Sequence, residues 1–355
     1  MRTLLALLMM MPGLAAAQGY AGLGSAVEEG YAQVERGRAI TFPQDHLPHP
    51  DFRIEWWYVT ANLLGADGQD YGLQWTLFRS ALAPASADET REGWSSRQFW
   101  MAHAAVTSAE THRSAERFAR GGVGQAGVEG APFRAWLDDW RFESLEGGAD
   151  APFAPLRLTA RAEDFAYSLT LTTAAPPVLQ GEAGFSVKSE RGQASHYYAQ
   201  PFFELEGEIE IDGERVAVTG RAWMDREWST QPLTADQTGW DWFALRPEDD
   251  VALMVYRLRH EDGDDYVTGN WATPDGRSEP LAPGTIEIVP IGWTDIDDRR
   301  VPTEWRIAVP SRGIEITTRP VNAQSWMDTS FSYWEGPVRF EGSHSGLGYL
   351  EMTGY

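Results

Sequence analysis

The chain has 355 residues, of which 43% are hydrophobic and 12% aromatic, with a formal net charge of −23 and no cysteine. Disulfides, cysteine-ligated metals and thiol nucleophiles are thereby excluded. So acidic a surface repels phosphate backbones and anionic headgroups, which excludes nucleic-acid partners. The length fits two domains of moderate size, each able to bury its own core.

Arg2, the apolar run Leu4 to Met11, the Pro12-Gly13 break and Ala15-Ala16-Ala17 before Gln18 have the layout of a secretory signal peptide over residues 1–17. The expected location is periplasmic or secreted. The run is too short to span a bilayer in a mature protein, and no other stretch approaches the roughly 20 apolar residues required, so the protein is not expected to span a membrane. Residues 18–40 are polar and rich in small residues and read as a lead-in segment.

Beyond it, helical periodicity is scarce. Short alternating runs recur at Arg53–Leu63, Tyr71–Phe78, Leu156–Leu158, Tyr167–Thr172 and Phe203–Ile211. They continue at Val216–Ala222, Val251–Arg257, Thr285–Val289, Trp305–Val309 and Ile314–Thr317. Such spacing predicts an all-β chain. Ala66-Asp67-Gly68, Asp212-Gly213 and Pro274-Asp275-Gly276 supply hairpin turns. Phe203 to Ile211 alternates apolar residues with glutamates, which predicts one packed and one solvated face. Ala81 to Ser96 reads as a mobile loop, and Pro232 to Gly239 as the boundary between domains at 41–233 and 234–355. Val218–Asp225 and Gly348–Tyr355 echo one another, each a closing strand with an acidic residue.

Two stretches place carboxylates among tryptophans: Ile54-Glu55-Trp56-Trp57-Tyr58, and Gly220 to Phe243. A tryptophan wall gives a broad apolar face and desolvates an acid within it, raising its pKa. On an extended strand Asp225 and Glu227 share one face while Arg226 points away. The pair is then either a proton donor in an aromatic pocket or an Arg226-carboxylate lock at the domain joint. His46 and His49 lie in a Pro-bounded loop with Asp45 and Asp51, but a metal needs three or four converging donors, and neither metal nor cofactor is expected. His103 follows an aromatic strand and either lines a pocket or sits in the core. Ser195-His196 lacks a Gly-x-Ser-x-Gly elbow, and no nucleotide-binding motif is present. Lysine occurs once, at Lys188, which reads as codon usage in an arginine-rich chain.

The segments His49-Pro50-Asp51-Phe52-Arg53 through Tyr58, Gly72 to Arg79, Met101 to Thr107, Ser195-His196-Tyr197-Tyr198, Trp223 to Ser229, Gly239 to Phe243 and Gly348 to Tyr355 carry a resemblance in order along the mature chain. It resembles the AttH-like secreted proteins, a lipocalin-like family that includes the carotenoid 1,2-hydratases. This implies two lipocalin-like (calycin-type) antiparallel β-barrel domains packed side by side, with ligand space in or between them. In the hydratases the resemblance places a His and a Trp in the strand matching Asp225 to Trp228, and a Tyr and an Asp on a later strand. Here Trp228 and Tyr256 match, whereas Arg226 and Leu258 stand where the His and Asp belong.

Two functions are therefore expected. The first is a carrier of a large hydrophobic molecule, lipid or isoprenoid, accessory to envelope lipid or lipoprotein handling and served by a membrane-transport partner. The second is an acid-base enzyme of hydratase or hydrolase type. The candidate catalytic residues are Asp225, Glu227, Glu55 and His103. The candidate ligand-binding residues are Trp57, Tyr58, His196, Tyr197, Trp228, Trp240, Trp242 and Tyr256. Amino-terminal sequencing of exported protein should find Gln18 first; a retained Met1 in a cytoplasmic fraction would contradict export.

Overall fold

The computed structural model describes residues 20–25, 29–84, 93–145 and 155–355. The signal reading at 1–17 lies outside them, as do residues 85–92 of the loop read between Ala81 and Ser96. Among the described residues helix is confined to short 3-10 turns such as Gln44–His46, and no helix is long and apolar enough to cross a membrane.

A first antiparallel sheet is built from β1 (Ile54–Gly65), β2 (Asp70–Ala81), β3 (Gln98–Ser108), β4 (His112–Arg120), β5 (Ala126–Glu129), β6 (Arg134–Leu137), β7 (Trp140–Ser144), β8 (Leu156–Arg161), β9 (Phe165–Thr172), β10 (Val178–Leu179), β11 (Phe185–Val187), β12 (Ala194–Ile211) and β13 (Glu214–Ser229). The second holds β14 (Gln237–Leu245), β15 (Ala252–His260), β16 (Tyr266–Ala272), β17 (Ser278–Leu281), β18 (Glu287–Ile296), β19 (Arg299–Val309), β20 (Ile314–Pro320), β21 (Trp326–Met327), β22 (Tyr333–Gly342) and β23 (Gly346–Thr353). The order β4-β3-β2-β1-β13-β12-β9-β8-β7-β6-β5 curls into a nearly closed barrel; β17-β16-β15-β14-β23-β22-β20-β19-β18 forms a half-barrel. These are two lipocalin-like domains side by side.

Every alternating run read from the sequence overlaps a strand, with Arg53, Val251 and Thr285–Ile286 falling just before theirs, and the three turn sequences join β1 to β2, β12 to β13 and β16 to β17. In the β12–β13 turn, Asp212 and Gly213 have φ of 51° and 85°, the left-handed pair that a two-residue hairpin needs. Phe203, Leu205, Ile209 and Ile211 are buried while Glu204, Glu206 and Glu208 are exposed, as the alternation requires.

Large rings fill both interiors. Trp57, Trp75, Trp140, Phe133 and Phe142 pack inside the first barrel, and Phe243, Trp305, Trp334 and Phe340 inside the second. A third cluster, including Tyr58, Tyr197, Trp223, Trp242 and Tyr256, occupies the joint between them. The domains approach closely there: a Cβ on Gly72 would lie 2.4 Å from Pro337.

The pleat of β1, held between β2 and β13, divides its residues. Trp57 and Val59 enter the first barrel, whereas Trp56 and Tyr58 belong to the joint. Glu55 stands opposite Arg79 on β2 and next to the Trp57–Arg226 pair across to β13. Its carboxylate ion-pairs with both guanidinium groups and accepts the His49 backbone N–H at 3.0 Å. Glu55, Arg79 and Arg226 are all at most 1% exposed. Arg79 also donates to the carbonyls of His49 and Phe52, and Arg226 to that of Leu47. Arg226 lies over the Trp57 ring, 3.9 Å from its centroid. Burial alone would raise the Glu55 carboxyl, but Arg226 and Arg79 override it and hold it below the usual carboxylate range.

A depressed native pKa adds stability that is present above the unfolded value and is lost as pH falls through the native one. Glu55→Gln leaves two buried cations short of their counter-charge. Denaturant unfolding should show a loss of about 3–5 kcal/mol near neutrality, and that loss should shrink below the ordinary carboxylate pKa.

Candidate functional site

A cavity of about 420 Å³ lies in the joint. Its walls follow strand alternation: Trp56 and Tyr58 from β1, Thr76 and Phe78 from β2, Met101 and His103 from β3, Asp225 and Glu227 from β13. The second domain contributes Trp240 and Trp242 from β14, Tyr256 and Leu258 from β15, Tyr333 from β22 and Glu351 from β23. Tyr20 to Leu23 and the crossover residues Pro232 and Leu233 complete the wall.

The acids differ in their partners. Glu227 pairs with Lys188 Nζ at 2.9 Å and accepts a hydrogen bond from the Ser195 hydroxyl. Lys188 sits over the rings of Tyr197 and Tyr256 at 4.9 and 4.7 Å. Burial would lower its pKa, but the adjacent Glu227 outweighs this and raises it, so the amine stays charged. Asp225 has no such cation. The Trp223 indole donates to its Oδ1 at 2.9 Å, yet burial, assisted by the charge of Glu227, pushes its pKa up to about 8. Glu351 accepts the Trp240 indole N–H and is pushed up by burial to about 7. Behind it Glu335, fully buried, takes the Tyr58 hydroxyl, and burial raises its carboxyl well above the usual range. Near neutrality Asp225 thus mostly keeps its proton and Glu351 titrates.

Strand parity sorts the predicted residues. Asp225, Glu227, His103, Tyr58, Tyr197, Trp240, Trp242 and Tyr256 all line the cavity. Glu55 is corrected: it lies one residue out of phase with Trp56 and Tyr58, so its carboxylate faces the ion network described above. Trp57, Trp228 and His196 are out of phase for the same reason. Trp57 enters the first barrel's core, Trp228 stacks on His49 at 4.0 Å, and His196 packs against Phe52 and Trp228. Arg226 pairs with Glu55, so the expected lock between Arg226 and Asp225 or Glu227 does not form. Asp45 binds Arg38 and the Thr41 N–H, and His49 Nε2 lies 2.8 Å from Asp45, so the His-rich loop is tied internally. No metal-ligating cluster occurs among the described residues.

Lys188, Tyr333, Glu335 and Glu351 were not among the expected site residues. A lone lysine in an arginine-rich chain was the available signal for the first. The acid in the closing strand Gly348–Tyr355 was the signal for Glu351. Glu335 and Tyr333 reach the joint only through the docking of β22.

The AttH-like family profile matches residues 33–355. The chain belongs to the AttH-like family. A crystal structure of an AttH protein from Nitrosomonas europaea is 32% identical, covers 91% of this chain and 99% of its own, and superposes with a TM-score of 0.77. Kievitone hydratase from Nectria haematococca, 14% identical over 92% of this chain and 97% of its own, shares the fold at a TM-score of 0.68. No curated protein matches the sequence.

Because the native pKa of Asp225 is raised, the folded state binds more protons than the unfolded state from about 4 to about 8. Its contribution to stability is then full at low pH and declines through that window. Asp225→Asn cannot ionise, so its melting temperature relative to the native protein should climb from pH ~4 to ~8. A constant difference would place the carboxylate in a solvated environment.

Proposed function

We propose that this AttH-like protein is an exported acid-base enzyme that adds water to, removes water from, or cyclises a hydrophobic molecule bound between its two barrels. The observation that carries the reading is the pair of carboxyls whose pKa burial raises into the neutral range, Asp225 to about 8 and Glu351 to about 7, inside an aromatic cavity of about 420 Å³. Such a volume suits a drug-sized apolar ligand. Asp225 or Glu351 donates its proton to an alkene carbon or a departing hydroxyl. The faces of Trp240, Trp242 and Tyr256 stabilise the cation, and the carboxylate left behind takes the balancing proton, from the entering water in hydration or from the carbon beside the cation in water loss and cyclisation. Kievitone hydratase, a hydratase by name, has the same two-domain fold.

Passive carriage accounts less well for the cavity. Burying acids and an ion pair in an apolar pocket costs free energy, and a carrier of an apolar molecule gains nothing from them. The absent hydratase His and Asp, replaced by Arg226 and Leu258, weigh against carotenoid hydration in particular.

The test incubates hydrophobic alkenes and their alcohols, and whatever lipid co-purifies, in ¹⁸O-labelled water and follows label by mass spectrometry. The native protein should incorporate label or convert a panel member to an isomer of the same mass and different retention time. Asp225→Asn or Glu351→Gln should lose about 10²–10⁴-fold of that rate while still quenching tryptophan fluorescence on ligand addition. A co-purified apolar ligand recovered unlabelled, with every panel member inert, would establish carriage instead.

A further inference from the structure

The cavity acid Glu351 is the inner end of a series of adjacent polar side chains, partly hydrogen-bonded, that crosses the joint. Tyr58 reaches both Glu351 and Glu335. Glu335 lies beside Tyr333 with its second carboxyl oxygen unpartnered, and the Tyr333 hydroxyl lies 2.9 Å from His103 Nδ1. His103 Nε2 is 2.9 Å from Glu116 Oε1. Glu116 is only partly exposed and accepts the backbone N–H and the hydroxyl of exposed Ser330 at 3.1 and 2.8 Å. The series crosses between domains three times: Tyr58, His103 and Glu116 belong to the first sheet, Glu335, Tyr333 and Glu351 to the second.

We propose that Glu351, Tyr58, Glu335, Tyr333, His103 and Glu116 form a proton relay that connects the cavity acid to solvent while a ligand fills the cavity. Each intermediate group has the chemistry the role needs. A phenol hydroxyl or a protonated carboxyl accepts a proton on one oxygen lone pair and releases its own, and an imidazole takes a proton at one nitrogen and gives one from the other. His103 is 1% exposed with both ring nitrogens engaged, so one route leads in and one out. Burial of Glu116 acts to raise its pKa, but the donors His103 and Ser330 hold it below the usual value, so the outer end is an anion that can collect protons from solvent. Each transfer moves one proton by one position, so every member ends with the proton count it began with. Only Glu351 and the solvent exchange a net proton.

The inference deepens the acid-base reading, and its test needs no substrate, so the two can fail separately. A downward pH jump across the Glu351 pKa of about 7 is followed by time-resolved infrared spectroscopy of the carboxyl C=O band that Glu351→Gln removes. With the cavity filled by an inert alkane such as dodecane, this band should appear in the native protein with a solvent deuterium isotope effect. His103→Gln and Glu116→Gln should each slow its appearance by about tenfold or more at unchanged final amplitude, and added imidazole should restore the rate in His103→Gln. A merely structural role for His103 would lower the melting temperature without a rate that imidazole rescues. Should His103→Gln fail to fold, Glu116→Gln at the rim carries the comparison. Equal rates in native protein and Glu116→Gln would show that solvent reaches Glu351 directly and would overturn the relay.

Discussion

The buried charge cluster of Glu55, Arg79 and Arg226 is the constraint on which the rest of the molecule depends. It ties β2, β1 and β13 together at one level and anchors the loop at 47–53 through backbone carbonyls. A one-residue slip of β13 would turn Arg226 into the joint and drive Asp225 and Glu227 into the first barrel. The cluster makes that slip prohibitive, since charges already desolvated would lose their partners. Ion pairs buried this deeply add little net stability over apolar packing, but they fix register strongly, and register decides which residues meet a ligand.

With the register fixed, the two faces of the same strand carry opposite electrostatics. Towards the first barrel, two guanidinium groups hold one carboxylate ionised. Towards the joint, several carboxyls share the field of one ammonium. Lys188 pairs with Glu227 and acts on Asp225, two residues away on the same face, only at a distance. Burial thereby raises the pKa of Asp225 beside the Lys188–Glu227 ion pair, the condition under which Asp225 can donate a proton near neutrality. Desolvation supplies the drive, and it comes from both domains: Trp223 and Tyr197 on one side, Trp240, Trp242 and Tyr256 on the other. Neither barrel alone would create it.

Placing the cavity between the domains also explains why both lumens are filled. Side chains such as Trp57, Trp75 and Trp305 use the barrel interiors for stability, which leaves the joint free to carry polar groups at a cost in local stability. A site at a joint draws on short segments of many strands, and each contributes only the two or three residues that its pleat turns inward.

The sequence by itself determined the strands, the turns, the all-β class and the family, because period-2 alternation and turn chemistry are local and seven ordered segments carry the resemblance. It also determined that Asp225 and Glu227 share a face, since strand geometry leaves no other choice. Adjacent residues such as Trp57 and Tyr58 could not both face a ligand for the same reason, yet nothing local said which of the two would; the pairing of β1 with β2 and β13 decided it. Only tertiary structure decided that Arg226 belongs to Glu55, 171 positions away, and that Glu335 and Tyr333 stand beside Tyr58 and His103. Those partners meet across strand pairs and a domain interface. The pKa values that make the site follow from that burial, which is a property of packed surfaces and is not written in any single segment.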